Sequence, residues 1–190
     1  MNNLTIDLSS VDLTDEQFFK LCVNNRDYRF ERNSQGDLII MSPTGGETGN
    51  RNADICYQLQ AWNREKQLGK VFDSSTGYKL PSGSNRSPDA SWIPLEKWDN
   101  LSAQEKQKFL PLSPDFLIEL LSPTDNLIDT QNKMKEYLEN GTKLGWLINR
   151  KTRQVEVYRV NQKVEILVNP HNVSGENILE EFNLDMESIW

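Results

Sequence analysis

The segment Asp115–Leu121 reads Asp-Phe-Leu-Ile-Glu-Leu-Leu, apolar on both alternations except for one carboxylate. At the strand period of two, Phe116, Ile118 and Leu120 share one face, and Leu117, Glu119 and Leu121 share the other. Two apolar faces predict a central strand covered on both sides, which points Glu119 into an interior or a cleft. The helical period marks three other segments. Residues 13–25 place Phe18, Leu21 and Cys22 on one face, behind a Thr14 cap with Gln17 three residues on. Residues 47–68 repeat Ile55, Leu59 and Trp62 at i, i+4, i+7, with Gly69 as the expected stop. Residues 123–140 follow Ser122 as cap, Pro123 at the first position and Asp125 three residues after the cap. Their stripe is Leu127, Gln131, Met134 and Leu138, and Gly141 closes it.

Between these lie strand signals. YRFERN and DLIIM flank SQG and predict a hairpin; KVFDSS, YKL and DASWIP predict short strands around the turn-rich PSGSNRSP. The polar run 96–109 reads as a short helical excursion. LGWLIN, QVEVYRV and KVEILV predict a closing meander, and LEEFNLDMESIW one further short piece. The expected class is α/β or α+β: a central mixed sheet flanked by helices, with an N-terminal helix and hairpin and a C-terminal strand meander.

The chain has 190 residues, which suggests one domain over 1–190, and its 36% hydrophobic content suffices for a core. A net charge of −7 argues against a protein that coats nucleic acid by charge, but not against a nuclease, whose metal cleft needs acids. Two cysteines without a CxxC point to a reducing, cytoplasmic setting. MNNLTIDLSS lacks the marks of a signal peptide, and no apolar run suggests a membrane span. The single histidine, His171, excludes a histidine-rich metal site and a histidine-based triad.

Four features carry candidate chemistry. Glu119 is explained by a buried pair with Arg or Lys, or by a metal. Asp89 starts a strand just after Pro88, whose fixed φ holds the acid in a defined direction; Ser-Pro-Asp is also a common turn. Lys133 is either one end of a surface pair with Asp129 or a cation directed over the end of the Glu119 strand. Glu47, beside the Gly45-Gly46 pair, is either a helix N-terminal carboxylate or an acid at a cleft rim. Two carboxylates on adjacent strand ends suit a hard cation such as Mg²⁺, with Lys133 near enough to orient water or neutralise phosphate.

SPDASWI, PDFLIELLSPTDN and KMKEYLENGTKLGWLINRKTRQVEVYR resemble the PD-(D/E)XK nuclease superfamily. More narrowly they resemble the Uma-type restriction endonuclease family, abundant in cyanobacteria. The specific part is Glu119-x-x-Ser122-Pro123, then Lys133, Tyr137, Gly141 and Trp146, and the resemblance covers most of the chain. It implies a restriction-endonuclease-like fold with Asp89 and Glu119 as the two acids, binding Mg²⁺ or Mn²⁺. It also implies Glu47 as a further metal ligand and Glu31 as a recurrent family acid. The motif's Lys, two residues after the second acid, is Leu121 here; Lys133 on the following helix is the matching position, ahead of Lys135. Asn149 stands where relatives often carry Asp, and Pro114-Asp115 is a decoy for the motif's Pro-Asp.

The leading expectation is a metal-dependent endonuclease acting on DNA, as a homodimer if the substrate is two-fold symmetric. The alternatives are a catalytically inactive binding or assembly module of the same fold, and an unrelated hydrolase using the same acids. Duplex binding requires bases such as Arg51, Arg64, Lys66, Lys70, Lys79 and Arg86 to gather at the cleft, which Gln131 could also line. Trp62 and Trp146 read as core and Trp92 as packing.

Overall fold

The computed structural model describes residues 4–190. In chain order the elements are β1 (Leu4–Ile6), α1 (Asp15–Asn24), β2 (Arg29–Arg32), β3 (Leu38–Met41), α2 (Gly46–Lys66), β4 (Gly69–Asp73), β5 (Tyr78–Lys79), β6 (Asn85–Arg86) and β7 (Ala90–Pro94). There follow α3 (Leu95–Asp99), a 3₁₀ turn (Glu105–Gln107), β8 (Phe116–Leu120), α4 (Leu127–Glu139), β9 (Leu144–Asn149), β10 (Gln154–Arg159), β11 (Glu165–Val168), β12 (Asn172–Ser174) and β13 (Asn183–Asp185). The main sheet has six strands in the order β11-β10-β9-β8-β7-β4, mixed because β8 and β9 run parallel through the α4 crossover. A second sheet, β1-β3-β2-β6-β5, carries the expected hairpin, and β12–β13 form a small third.

All five residues of β8 are buried. Phe116, Ile118 and Leu120 pack with Ile55, Leu59 and Trp62 of α2, while Leu117 packs with Met134 and Tyr137 of α4. The two faces of one strand therefore touch two helices, as its apolar alternations require. Trp62, Trp92 and Trp146 are core. No helix among the described residues is long and apolar enough to cross a membrane.

Several expectations need correction. The Thr14–Gln17 capping box forms as expected, but Ser122-Pro123-Thr124-Asp125 does not open α4. Asp125 bonds back to the Ser122 amide at 2.8 Å and closes a separate turn; Asn126, whose side chain accepts from the Ile128 amide at 2.9 Å, is the true cap. Gly69 does not stop α2. Gln67 does, in the left-handed conformation at φ 55°, and Gly69 opens β4. Glycine is needed at 69 because a Cβ there would collide with the Ile93 carbonyl and the Trp92 indole. Gly69→Ala should destabilise the protein by about 2–3 kcal/mol in a urea titration, since Asn63 pins both Gly69 and Trp92 and neither can yield.

The polar excursion splits into α3 and the 3₁₀ turn, and β6 forms inside what reads as a turn. The C-terminal piece is larger than its sequence suggests. Val173, Leu179, Phe182, Leu184, Met186 and Ile189 all enter the α2-side core, with Phe182 stacked on Trp146 at 6.0 Å.

Candidate active site

β7 and β8 pair antiparallel with Ala90 opposite Ile118, and Asp89, one residue before β7, lies at the strand ends near enough to Glu119 for the two charges to act on each other. Asp89 is tied to both neighbours: Oδ2 accepts the Leu120 amide at 2.8 Å and Oδ1 accepts the Asn52 side-chain amide at 2.9 Å. Glu119 is 7% exposed. Its Oε1 receives the Lys133 ammonium at 2.8 Å and the Tyr137 hydroxyl at 3.2 Å. Lys133 and Tyr137 lie one turn apart on α4, which is why both reach the same carboxylate. The surface pairing of Lys133 with Asp129 is not formed; the ammonium turns inward to Glu119 and to Glu31, 2.9 Å away. Leu121 packs against the α4-side apolar cluster, so the position where the motif asks for Lys is committed to the core.

Glu31 is 2% exposed and meets three donors. Oε1 takes Lys133 and the Ser87 amide at 2.9 Å, and Oε2 takes Arg86 Nη1 at 3.1 Å. Arg86 turns its other nitrogens on Glu136, with Nη2 at 2.6 Å. Tyr137, Arg86, Glu136 and Asn52 thus belong to the site although their spacing does not announce them. Tyr137 was visible only as part of the resemblance string, and Arg86 only as a basic residue near Asp89.

The network, buried at Glu31, Glu119 and Arg86 and half-buried at the rest, holds four carboxylates, Glu31, Asp89, Glu119 and Glu136, against two cations, Lys133 and Arg86. Burial pushes Glu119 up to about 7, against the pull of Lys133 and with the help of the Asp89 and Glu31 charges. Burial likewise raises Asp89, although the Leu120 amide opposes it. Glu31 ends below the ordinary carboxylate range, because Lys133 and Arg86 together outweigh its burial. Lys133 is held charged: burial disfavours its ammonium, but Glu119 and Glu31 more than offset that.

These residues fit a divalent cation. The excess of two carboxylates equals one divalent charge, and the donors are hard oxygens. Oε2 of Glu119 receives no hydrogen bond among the described residues, and both acids line a cleft of about 1220 Å³. Glu47 does not join them. It lines the cleft, but its side chain is 79% exposed and pairs with Arg150 at 3.1 Å. Among the described residues no three His, Cys, Asp or Glu side chains converge as a metal-holding group. Glu47 is at the rim because it sits in the first turn of α2, where the helix N-terminus favours a carboxylate.

Other expected cleft residues are also elsewhere. Arg51 bonds the Ile189 carbonyl and Gln131 bonds Glu156, and neither lines the cleft. Of the six bases considered for DNA, Arg86 alone lines it, already ion-paired. Arg29 and Lys135 line it without an ion pair among the described residues. Asp115 lies at the far end of β8 from Glu119, held by Lys97 and Lys143 at 2.6 and 2.7 Å.

The raised Glu119 sets a pH dependence. The folded chain keeps a proton on Glu119 that the unfolded chain releases near 4.5, so the folded state binds more protons between 4.5 and about 7. Stability without metal should fall over that window as pH rises, by on the order of 3 kcal/mol. Urea melts in EDTA at pH 5 and pH 7.5 measure this. Saturating Mn²⁺ should reduce the loss, because a cation takes the place of the proton.

A family model described as "Putative restriction endonuclease" (Uma2) matches residues 15–187. No curated protein matches the chain. Among solved structures, the fold is similar to that of a protein described as a putative nuclease belonging to DUF820 from Anabaena variabilis ATCC 29413. The TM-score is 0.71 at 20% identity, covering 84% of this chain and 88% of that one. The likeness establishes the restriction-endonuclease-like fold expected from the sequence.

Proposed function

The chain belongs to the Uma2 family, and from that premise we propose that it hydrolyses DNA phosphodiester bonds at Asp89 and Glu119 with a divalent cation, Mg²⁺ or Mn²⁺. The observation that carries this reading is the pair itself: a buried and a half-buried carboxylate at adjoining strand ends, open to one cleft, with too few cations to neutralise them. Asp89 and Glu119 would hold the metal. Bound there, it would stabilise charge on the phosphate and make its water more acidic. Asn52 and the Leu120 amide fix the orientation of Asp89. Lys133 keeps its proton, and its Nζ is placed to neutralise phosphate charge or orient the attacking water. Lys133 thereby supplies from α4 the charge that Leu121 cannot. A homodimer suits a two-fold symmetric substrate and is part of this reading.

The second reading, an inactive binding or assembly module, draws on one observation: the Lys133 ammonium is already shared between two carboxylates. Incubating the purified chain with plasmid and linear duplex in Mg²⁺, in Mn²⁺ and in EDTA separates the two. We expect cleavage with either metal and none in EDTA. Cleavage that persists in EDTA would overturn the metal site, and DNA binding without cleavage in any metal would favour the module.

A further inference from the structure

Glu31 stands in the second sheet, on β2, opposite Ile39 of β3, yet its carboxylate reaches across to the main-sheet site. Neutralisation does not account for it. Arg86 already has Glu136 at 2.6 Å and Lys133 already has Glu119 at 2.8 Å, so a further buried acid worsens the charge balance. What Glu31 adds is connection. Its Oε1 holds the Lys133 ammonium and the Ser87 backbone amide, each at 2.9 Å. Ser87 is two residues before Asp89, and Pro88 between them fixes the path of the backbone. One carboxylate oxygen therefore joins the helix that carries Lys133 to the segment that aims Asp89, while Oε2 takes Arg86 from that same segment.

We infer that Glu31 is a positioning residue: it sets the separation between the Lys133 ammonium and the Asp89–Glu119 pair without itself touching substrate. The inference rests on the proposed nuclease reading for its effect on rate, but not for its effect on geometry. Removing comparable outer partners of metal-binding groups lowers activity or metal affinity by about 10- to 100-fold. Glu31→Gln keeps an acceptor for the Ser87 amide and loses the charge that draws Lys133, whereas Glu31→Ala loses both.

The test has two arms, run on the full chain. Crystal structures of both variants come first. We expect the Lys133 ammonium to leave its place beside Glu119 in both, and residues 87–89 to shift in Glu31→Ala alone. An unchanged Lys133 and an unchanged 87–89 segment in either folded variant would overturn the inference. If Glu31→Ala fails to fold, Glu31→Gln decides through Lys133 alone. The second arm measures steady-state cleavage with Mn²⁺ and Mn²⁺ binding by calorimetry. We expect kcat to drop about 10- to 100-fold, more in Ala than in Gln, with KM for DNA within about two-fold. Equal losses in kcat, Mn²⁺ binding and folded fraction would mark Glu31 as merely structural and overturn the inference. A wild-type chain that cleaves nothing sinks the nuclease reading, and the crystallographic arm still decides the role of Glu31.

Discussion

Glu119→Gln should abolish DNA cleavage, by about 10³-fold or more, while making the metal-free protein more stable above pH 7. The two effects have one cause. Glu119 is buried between Asp89, Glu31 and the Lys133 ammonium, and its pKa of about 7 means the folded chain resists its ionisation. The amide of Gln keeps an oxygen for Tyr137 and for Lys133 but carries no charge, so that resistance disappears. A gain of about 1–3 kcal/mol in a urea titration at pH 8 follows, and it should vanish near pH 5, where wild-type Glu119 is already protonated. The same lost charge removes half of the proposed metal pair, and hence the rate. Asp89→Asn should lose activity equally. Rate loss with equal or lower stability at pH 8 would show that Glu119 is better satisfied in the native state than its surroundings indicate.

Lys133→Met should cost about 3–5 kcal/mol at pH 8. Methionine fills the space of the lysine stem, so the loss reports the charge rather than a cavity. Glu31 and Glu119 would be left facing each other without the ammonium that both contact, and breaking a buried ion pair from one side is far more damaging than replacing the whole pair. The double variant Lys133→Met with Glu119→Gln should recover part of the loss, giving a coupling of about 1–3 kcal/mol in a double-mutant cycle. Stability changes that simply add would show that the two side chains do not depend on each other. Cleavage should be lost in both single variants, so stability and rate separate Lys133 from Glu119: one variant weakens the fold and the other strengthens it.

The acids and the lysine were legible because local periods place them. An alternation of two puts Glu119 on the α4 face of β8, and residues 127–139 form a helix in which every fourth residue returns to that end. Glu31 and Arg86 are not legible in their roles, since the contact joins residues 55 apart on β2 and β6, neighbours in the second sheet whose pairing no local pattern announces. Nothing in RFERN or SNRSP records that pairing. Glu47 stands at the cleft rim and in the first turn of α2, as its two readings have it; its pairing with Arg150, 103 residues away, is what no local pattern announces. The start of α4 was misplaced because Ser122-Pro123-Thr124-Asp125 satisfies the rules of a cap on its own; the same side-chain bond closes an isolated turn. The long reach of residues 171–190 into the core was hidden for a similar reason, because their apolar residues are spaced irregularly between turns.

That last segment has a consequence for how the chain reaches its native state. Trp62 donates to the Glu180 carbonyl across 118 residues, Arg51 donates to the Ile189 carbonyl across 138, and Phe182 covers Trp146. The buried side of α2 is therefore closed by residues more than a hundred positions further along the chain, and one face of the main sheet by the same segment. Contacts of such sequence separation form late and slowly. During translation the Trp62 and Trp146 surfaces stay uncovered until residues 180–189 have emerged, a window in which chaperones or a second nascent chain can reach them.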